Sequence, residues 1–256
     1  MKTWFALYKK ELYALTFFAL VVSLIMLGWE LFLWYKAPHW PEGLAFGLSF
    51  IPFSFYPLLM LWLGYSSFRQ EWKDETSYFM LSIPRPGWQL NLSKLVAGVT
   101  FYAGITLLNL LLIYFLHHLV FIKPILKENP EFLGETGRWV AGMIGQGLLY
   151  YLLLGVIVYV VSQFSQLISQ FYSRFRGLIS IVVFILSYYL IYRGGSILAP
   201  LFKWVPDLPI RIPGGEFNPA REVLVTVDLA PVVVSGLIII AIFFSGSRIL
   251  ERHLEV

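Results

Sequence analysis

Long apolar runs separated by short polar stretches are the dominant pattern along the chain. Each run reaches, or comes close to, the ~20 apolar residues that a helix needs to cross a bilayer. The fifth run is the shortest and depends on apolar residues in its flanks. The six runs cover residues 12–35, 44–66, 95–122, 139–161, 177–192 and 229–245. The pattern predicts an all-α integral membrane protein with six transmembrane helices in a single domain over residues 1–256.

Composition supports this class, because 58% of the residues are hydrophobic and only 13% are charged, far from the averages of soluble domains. A net charge of +4 would suggest nucleic acid as a partner of a soluble chain. Here the basic residues mostly flank apolar runs, where membrane orientation and anionic lipid explain them. We therefore expect membrane lipids, and no nucleic acid, among the partners. The chain has no cysteine, which excludes disulfides, thiolate metal sites and cysteine nucleophiles.

The N-terminal residues and the first two runs carry further signals. Residues 2–11 place aromatic side chains on one helical face and lysines away from it, which predicts a short amphipathic helix lying in the membrane interface. The first run is too long for a signal peptide and lacks a small-residue cleavage site, so it reads as a retained anchor. Pro52 and Pro57 would kink the second run, and neighbouring helices must then satisfy the carbonyls that the prolines free.

The distribution of Lys and Arg predicts the orientation. With six spans both termini share a side, and the connections on that side carry 11 of the 19 basic residues. The other eight include four in the long connection 193–228, whereas the first set lies close to span ends. By the positive-inside rule the termini face the cytoplasm.

Ionisable residues are missing from the middle of every predicted span. The nearest ones map to the outer ends of their spans, and the deep polar residues are neutral. The first group comprises Glu30, His117, His118, Arg193 and Asp228, and the second includes Asn109, Gln146 and Ser187. Transport driven by protons or ions needs titratable groups at depth, so energy for any transport is expected to come from outside the membrane.

The neutral polar residues leave two readings open. Asn109 and Gln146 can join helices by hydrogen bonds, which we favour, or they can contact a cargo. In the second reading they would line a substrate pathway together with Phe53 and Phe55.

Signatures of an intramembrane enzyme are missing from the sequence. It contains no H-E-x-x-H, no G-x-S-x-G and no G-x-x-x-x-G-K-[ST] phosphate loop. Adjacent His117 and His118 point about 100° apart on a helix and cannot ligate one metal from the same face. We read them as interfacial histidines, and we predict no catalytic residue, no metal and no cofactor in this chain.

The most charged stretch lies between the second and third runs. It reads RQEWKDETSYFMLSIPRPGWQLNLSKLVAG from Arg69 onward. An arginine with an acidic cluster, a threonine, a Leu-x-x-Pro stop, a basic residue and a lysine that opens the next helix follow each other there. This order resembles a segment of the ABC-2 type permeases, the membrane subunits of ATP-binding-cassette exporters. Glu75 where many members have glycine, and the Pro86-Gly87 interruption, depart from the family pattern.

The resemblance implies a cytoplasmic coupling helix that docks on a separate ATPase subunit. Residues 76–83 can form this helix, since acids near its start suit the helix dipole and Pro84 ends it. An ordinary solvated loop is the alternative. The resemblance adds a smaller second contact through the connection between spans four and five. The expected ATPase contacts are Arg69, Glu71, Asp74, Glu75, Thr76, Tyr78, Phe79, Leu81, Pro84, Arg85, Arg174 and Arg176.

A polar stripe continues the fourth run toward this second contact. It repeats Ser-Gln three times and consists of Ser162, Gln163, Gln166, Ser169, Gln170 and Ser173. The stripe could line an inward cavity or meet water, and we favour water.

The long outer connection from Arg193 to Ala230 is unexpectedly apolar in its first half and contains five prolines. Exposed apolar surface needs a partner, and backbone at membrane depth must be helical or buried in protein. We predict a short helix over residues 196–202 that re-enters the outer leaflet, with Ile197 and Leu201 in lipid and Trp204 at the headgroups. The resemblance also leads us to expect re-entrant helices here. An external cap that never enters the bilayer is the alternative.

The resemblance implies a half-transporter that pairs with a second permease subunit, identical or related, and with two ATPase subunits that hold ATP and Mg²⁺. It places the chain in the cytoplasmic membrane of a prokaryote. An uncharged, aromatic-rich interior suits a hydrophobic or amphipathic cargo such as a lipid or a peptide-like antibiotic. The alternatives are a complex that extracts or senses a membrane compound without full translocation, and an intramembrane enzyme or scaffold.

Overall fold

The computed structural model describes residues 2–41, 43–73, 86–118, 135–172, 174–212 and 223–252. Helices account for most of these residues, and short 3₁₀ turns at Ala37–His39 and Ala199–Phe202 extend two of them. The helices are α1 (Lys2–Lys36), α2 (Leu44–Leu48), α3 (Ile51–Lys73), α4 (Gly87–His117), α5 (Glu135–Ser169), α6 (Arg176–Leu198) and α7 (Ala230–Arg252).

Six helical segments of the described chain are long and apolar enough to cross a membrane. This confirms the prediction of a multi-pass helical membrane protein. The start of α1 and the end of α7 lie at one end of the bundle, which we call the termini end, and the opposite end is the distal end. Helices α4 and α5 form the centre: α4 contacts α1, α3, α5 and α7, while α5 contacts α3, α4, α6 and α7.

The separate interfacial helix expected over residues 2–11 is wrong, because α1 runs without a break from Lys2 to Lys36. Its 35 residues make a helix about 52 Å long, well beyond the ~30 Å of hydrocarbon. The reason lies in contacts with α4. Tyr8 Oη lies 3.2 Å from Thr100 Oγ1, and Glu11 pairs with Lys94, so the first turns follow α4.

The second predicted span is divided into α2 and α3 by a turn at Ser49 and Phe50. Pro52 has no N–H and cannot donate to the carbonyl of Leu48; the indole Nε1 of Trp29 donates to that oxygen at 3.4 Å. Pro57 lies inside α3 and in the same way frees the carbonyl of Phe53. The hydroxyl of Tyr151 on α5 donates to it at 2.7 Å.

Both proline-freed carbonyls therefore find aromatic donors on other helices, as expected. The donors come from α1 and α5, so these two hydrogen bonds join the α2–α3 region to both of those helices. Hydrocarbon offers no hydrogen bonds to such carbonyls.

The third span begins eight residues earlier than predicted, at Gly87, directly after Pro86. Its polar first turns are packed against the end of α7, which is why they are helical. Glu251 Oε1 accepts from the Gly87 N–H at 2.7 Å, and Asn91 Nδ2 donates to Ser247 Oγ at 3.0 Å. The Glu251 carboxyl thus caps the first turn of α4 from a distant helix.

Small residues allow close packing against α5. An added Cβ at Gly64 would lie 2.6 Å from the backbone oxygen of Tyr159, and one at Gly155 would collide with the ring of Tyr102. Gly64 therefore lets α3 approach the backbone of α5 directly. Close approach at small residues is the usual basis of helix association in membranes.

The outer connection departs from the all-α prediction. Residues Leu208–Ile212 (β1) and Val223–Val227 (β2) form an antiparallel pair in which Leu208 lies opposite Val227. The separate re-entrant helix over residues 196–202 is wrong, because residues 196–198 are the last turn of α6 and the 3₁₀ turn follows at once. Pro200 falls within the first two positions of that turn, where its missing N–H costs nothing.

Candidate functional site

A cleft of about 510 Å³ opens at the termini end between the end of α3, the end of α5 and the start of α6. Arg69 and Arg176 both line it, together with Tyr65, Trp72, Gln166, Gln170 and Gly177. Two sequence-predicted contact residues from separate connections are therefore brought to one site. Among the residues that the structure describes, no acidic side chain lines the cleft, so the charge of its described lining favours an anionic group.

Each arginine is held by its own helix. The Arg69 guanidinium lies 5.5 Å from the centre of the Tyr65 ring, a cation–π distance. Arg176 Nε donates to the carbonyl of Tyr172 at 2.9 Å. Both arginines are exposed. Their remaining guanidinium N–H groups therefore face the opening of the cleft. Arg174 is exposed as well but does not line the cleft.

Most of the predicted coupling segment lies outside the described residues. This applies to Asp74, Glu75, Thr76, Tyr78, Phe79, Leu81, Pro84 and Arg85, and to the helix predicted over 76–83. Glu71 is described only as part of the α3 backbone. The described part shows where the segment is attached: it leaves from Lys73 at the end of α3 and returns at Pro86, before α4.

The Ser/Gln stripe of α5 is buried over most of its described length, so the interpretation that it meets water is wrong there; Ser173 lies outside the described residues. Ser162, Gln163, Gln166 and Ser169 are at most 2% exposed. Ser162 Oγ donates to the Leu61 carbonyl of α3 at 2.7 Å. On the other side Ser165 Oγ lies 3.2 Å from Ser180 Oγ of α6. The stripe is polar because it joins α5 to two helices, and only its last part, at Gln166 and Gln170, reaches the cleft.

Two acid–base contacts join α1 to α4, one at each end of the bundle. At the termini end Lys94 Nζ lies 3.0 Å from Glu11 Oε1 and 5.3 Å from the centre of the Phe68 ring. At the distal end His117 Nε2 lies 3.3 Å from Glu30 Oε2, and both side chains are fully buried. In each contact the acid belongs to α1 and the base to α4.

Their separation matches the membrane. From Glu11 to Glu30 α1 rises about 28 Å, and from Lys94 to His117 α4 rises about 34 Å, close to the ~30 Å of hydrocarbon. The sequence interpretation missed both contacts. Glu11 and Glu30 on α1 are separated by nearly as many residues as Lys94 and His117 on α4. This similar spacing on two apolar helices was the signal that could have predicted both contacts.

The histidines differ from the interfacial ones that we expected. His117 lies at the end of its helix as expected, but it is buried and also lies 3.0 Å from Ser49 Oγ. A serine-hydrolase relay would use one ring nitrogen for the hydroxyl and the other for the carboxylate. Here Nε2 faces both Ser49 and Glu30, which is not that arrangement. Among the described residues no group of three or more His, Asp or Glu is placed to hold a metal ion.

The four predicted substrate-pathway residues lie in different surroundings. Asn109 is fully buried, and neither of its side-chain polar atoms finds a partner among the described residues, so the favoured helix-joining bond is not seen. Gln146 is exposed on α5, and Phe55 is exposed on α3. Phe53 packs beside Tyr151, with ring centres 5.7 Å apart.

An entirely apolar groove of about 460 Å³ lies between α1 and α3 on the outer surface of the bundle. Phe55 lines it, together with Met26, Trp29 and Pro52. It is the described region best suited to an alkyl chain.

At the distal end Ile197, Leu201 and Trp204 are all exposed, at 66%, 72% and 76%. They flank a cleft of about 530 Å³ lined by Lys203, Asp207 and Asp228. The end of α6 therefore presents apolar side chains beside a charged cleft, as a segment at the lipid headgroups does.

Comparison of the chain with protein-family models, with curated proteins and with solved structures gives no match. The function has to be inferred from the residues and their geometry.

Proposed function

We propose that this chain is the transmembrane permease subunit of an ATP-driven exporter of the ATP-binding-cassette type. It would move a hydrophobic or amphipathic compound and leave ATP hydrolysis to separate subunits. The observation that carries the proposal is the arginine-lined cleft at the termini end. It is built from the two connections that the resemblance assigns to ATPase contacts, and it opens beside the attachment points of the coupling segment.

The charge of the cleft fits such a partner. Two arginines in a described lining that contains no carboxylate attract acidic side chains of a docking protein. Charge complementarity of this kind fixes the register of an interface. The large aromatic side chains of Tyr65 and Trp72 supply apolar contact area in the same cleft.

Close packing offers a path for the movement. A displacement of the end of α3 would be transmitted directly to α5, because Gly64 brings the two backbones into contact. The contacts between α1 and α4 then provide two separate closures, one at each end of the bundle. Rocking between inward-open and outward-open states would break one closure at a time.

Co-purification with ATP-binding-cassette ATPase subunits from the same organism tests the proposal. Reversing both charges with Arg69→Glu and Arg176→Glu should abolish the complex, and Phe79→Asp with Leu81→Asp should uncouple hydrolysis from transport. The control is Arg193→Glu, which changes an exposed arginine near the distal end. If the doubly reversed protein binds and stimulates the ATPase as well as the control does, the proposal is wrong. A complex that hydrolyses ATP but moves no compound would favour extraction or sensing.

A further inference from the structure

Three fully buried polar side chains meet at the distal end of the bundle. Glu30 belongs to α1, His117 to the last turn of α4, and Ser49 to the turn between α2 and α3, and each is 0% exposed. His117 Nε2 lies 3.3 Å from Glu30 Oε2 and 3.0 Å from Ser49 Oγ. In the proposed export mechanism this contact is the distal closure, and any contact between α1 and α4 would serve there; that role does not explain why the contact is made of two titratable groups.

His117 Nε2 lies within hydrogen-bond distance of both Glu30 and Ser49. Ser49 Oγ also lies 3.1 Å from the carbonyl of Ala45. When the serine proton is on that carbonyl, the hydroxyl accepts from His117, and Nε2 carries a hydrogen between Ser49 and Glu30. The other carboxyl oxygen, Glu30 Oε1, has no hydrogen-bond partner among the described residues.

Apolar side chains seal the cluster from water. Leu33, Ala37 and Ala45 form a buried group beside it, covered by Trp29 and Trp40. The ring of Phe46 meets the His117 imidazole edge-on, with centres 6.0 Å apart. A charge inside this enclosure cannot be screened by solvent and is costly unless paired.

Among the described residues, the titratable groups near the cluster make contacts of their own. Tyr56 of α3 is buried and donates its hydroxyl to Met26 Sδ at 3.1 Å. Next to His117 along α4, His118 is half-buried, with its ring centre 5.0 Å from that of Tyr114. Lys36 of α1 lies over the exposed ring of Tyr35, and His39 is exposed. Among the described residues no Lys or Arg forms an ion pair with Glu30.

We infer that Glu30 and His117 form a proton-binding site that holds one proton in the closed distal end. Two arrangements keep the enclosed pair neutral: imidazolium with carboxylate, and neutral imidazole with carboxylic acid. Both contain one proton more than a carboxylate beside a neutral imidazole. That last state would leave one uncompensated negative charge in the sealed enclosure.

The site links protonation to movement of α1 against α4. In water near neutral pH a glutamate is a carboxylate and a histidine is mostly neutral. Separating the two helices at the distal end and wetting the pair would therefore release one proton to the solvent, and closing would take one up. This linkage concerns the chain alone and does not depend on a partner ATPase.

Infrared and nitrogen NMR spectra of the reconstituted protein near neutral pH test the occupancy of the site. We expect either a carboxylic-acid carbonyl band that is lost in Glu30→Gln or an imidazolium signal that is lost in His117→Gln. Either result supports the inference. Spectra that assign a carboxylate to Glu30 and a neutral ring to His117 in the same sample would overturn it.

A thiol-accessibility assay tests the linkage, and the cysteine-free chain gives no background. Ala45→Cys places a thiol beside the cluster, and Ala97→Cys places a control thiol elsewhere on α4; both alanines are 1% exposed. From mildly acidic to mildly alkaline pH, alkylation at position 45 should rise severalfold relative to position 97. In a Glu30→Gln background, where the cluster stays neutral, this relative rise should disappear. An unchanged ratio in the otherwise native chain, or an equal rise in the Glu30→Gln background, contradicts the linkage.

Discussion

Replacing Gly64 with alanine tests the packing of α3 against α5, on which the proposed path of movement depends. The new methyl carbon would lie 2.6 Å from Tyr159 O, 3.0 Å from Ser162 Cβ and 3.2 Å from Tyr159 Cα. Normal contacts to carbon are about 3.5–4.0 Å, so the helices must separate by roughly 1 Å. The nearest obstacle is backbone, which cannot rotate away as a side chain can.

The cost follows from two losses. Overpacking of a well-packed contact costs about 1–3 kcal/mol. Separation also weakens the bond from Ser162 Oγ to the Leu61 carbonyl, and such interhelical bonds in membrane proteins average about 0.6 kcal/mol. Together these losses amount to about 2–3 kcal/mol, and the gain of about 0.5–1 kcal/mol from alanine in a helix interior leaves a net decrease of about 1–2 kcal/mol in the free energy of unfolding.

The control is Gly145→Ala, on the exposed face of α5, where an added Cβ meets nothing within 4 Å. Alanine in a helix interior is favoured over glycine by about 0.5–1 kcal/mol. Both variants share this gain, so equilibrium unfolding in mixed micelles with a rising fraction of dodecyl sulfate should separate them by about 2–3 kcal/mol. Agreement of the two variants within about 0.5 kcal/mol, well inside the range expected for overpacking, would refute the close approach of α3 and α5.

Three further predictions use other parts of the molecule. An impermeant thiol reagent applied to intact cells should label a cysteine at Lys203 and not one at Arg69; the reverse result would invert the proposed orientation. Glu11→Ala should destabilise more than Glu11→Ala combined with Lys94→Met, since only the single variant keeps the buried lysine after the carboxylate 3.0 Å from it has been removed; equal losses of stability would show that the contact carries no charge coupling. A spin label at Leu201 should be reached by oxygen from the lipid and shielded from a water-soluble relaxant; exposure to the aqueous relaxant would identify the end of α6 as an external cap.

Hydropathy predicted the helical membrane class because spans need long apolar runs whatever their packing. It could not place helix ends, since these depend on partners far away in sequence. Helix α4 begins at Gly87 because Glu251 and Ser247 of α7 accept hydrogen bonds from its first turns. Polar residues that look like loop in the sequence are helical here because another helix satisfies them.

The polar side chains show the same limit. The need to satisfy the carbonyls freed by Pro52 and Pro57 could be predicted from the sequence, but the donors Trp29 and Tyr151 could not. The Ser/Gln stripe looked water-exposed because sequence gives polarity and not neighbours. In the candidate site, Arg69 and Arg176 were predicted separately, and only the fold shows that they share a cleft.

The cap that Glu251 provides for Gly87 has a consequence for biosynthesis. The two residues are 164 positions apart, so the first turn of α4 is translated and inserted long before its acceptor leaves the ribosome. During that interval the backbone N–H of Gly87 must donate its hydrogen bond to water or to another polar group. Assembly of this part of the bundle is thus completed only when α7 has been made. A chain released before residue 251 is expected to be inserted but unfinished, and to be a substrate for membrane quality-control proteases.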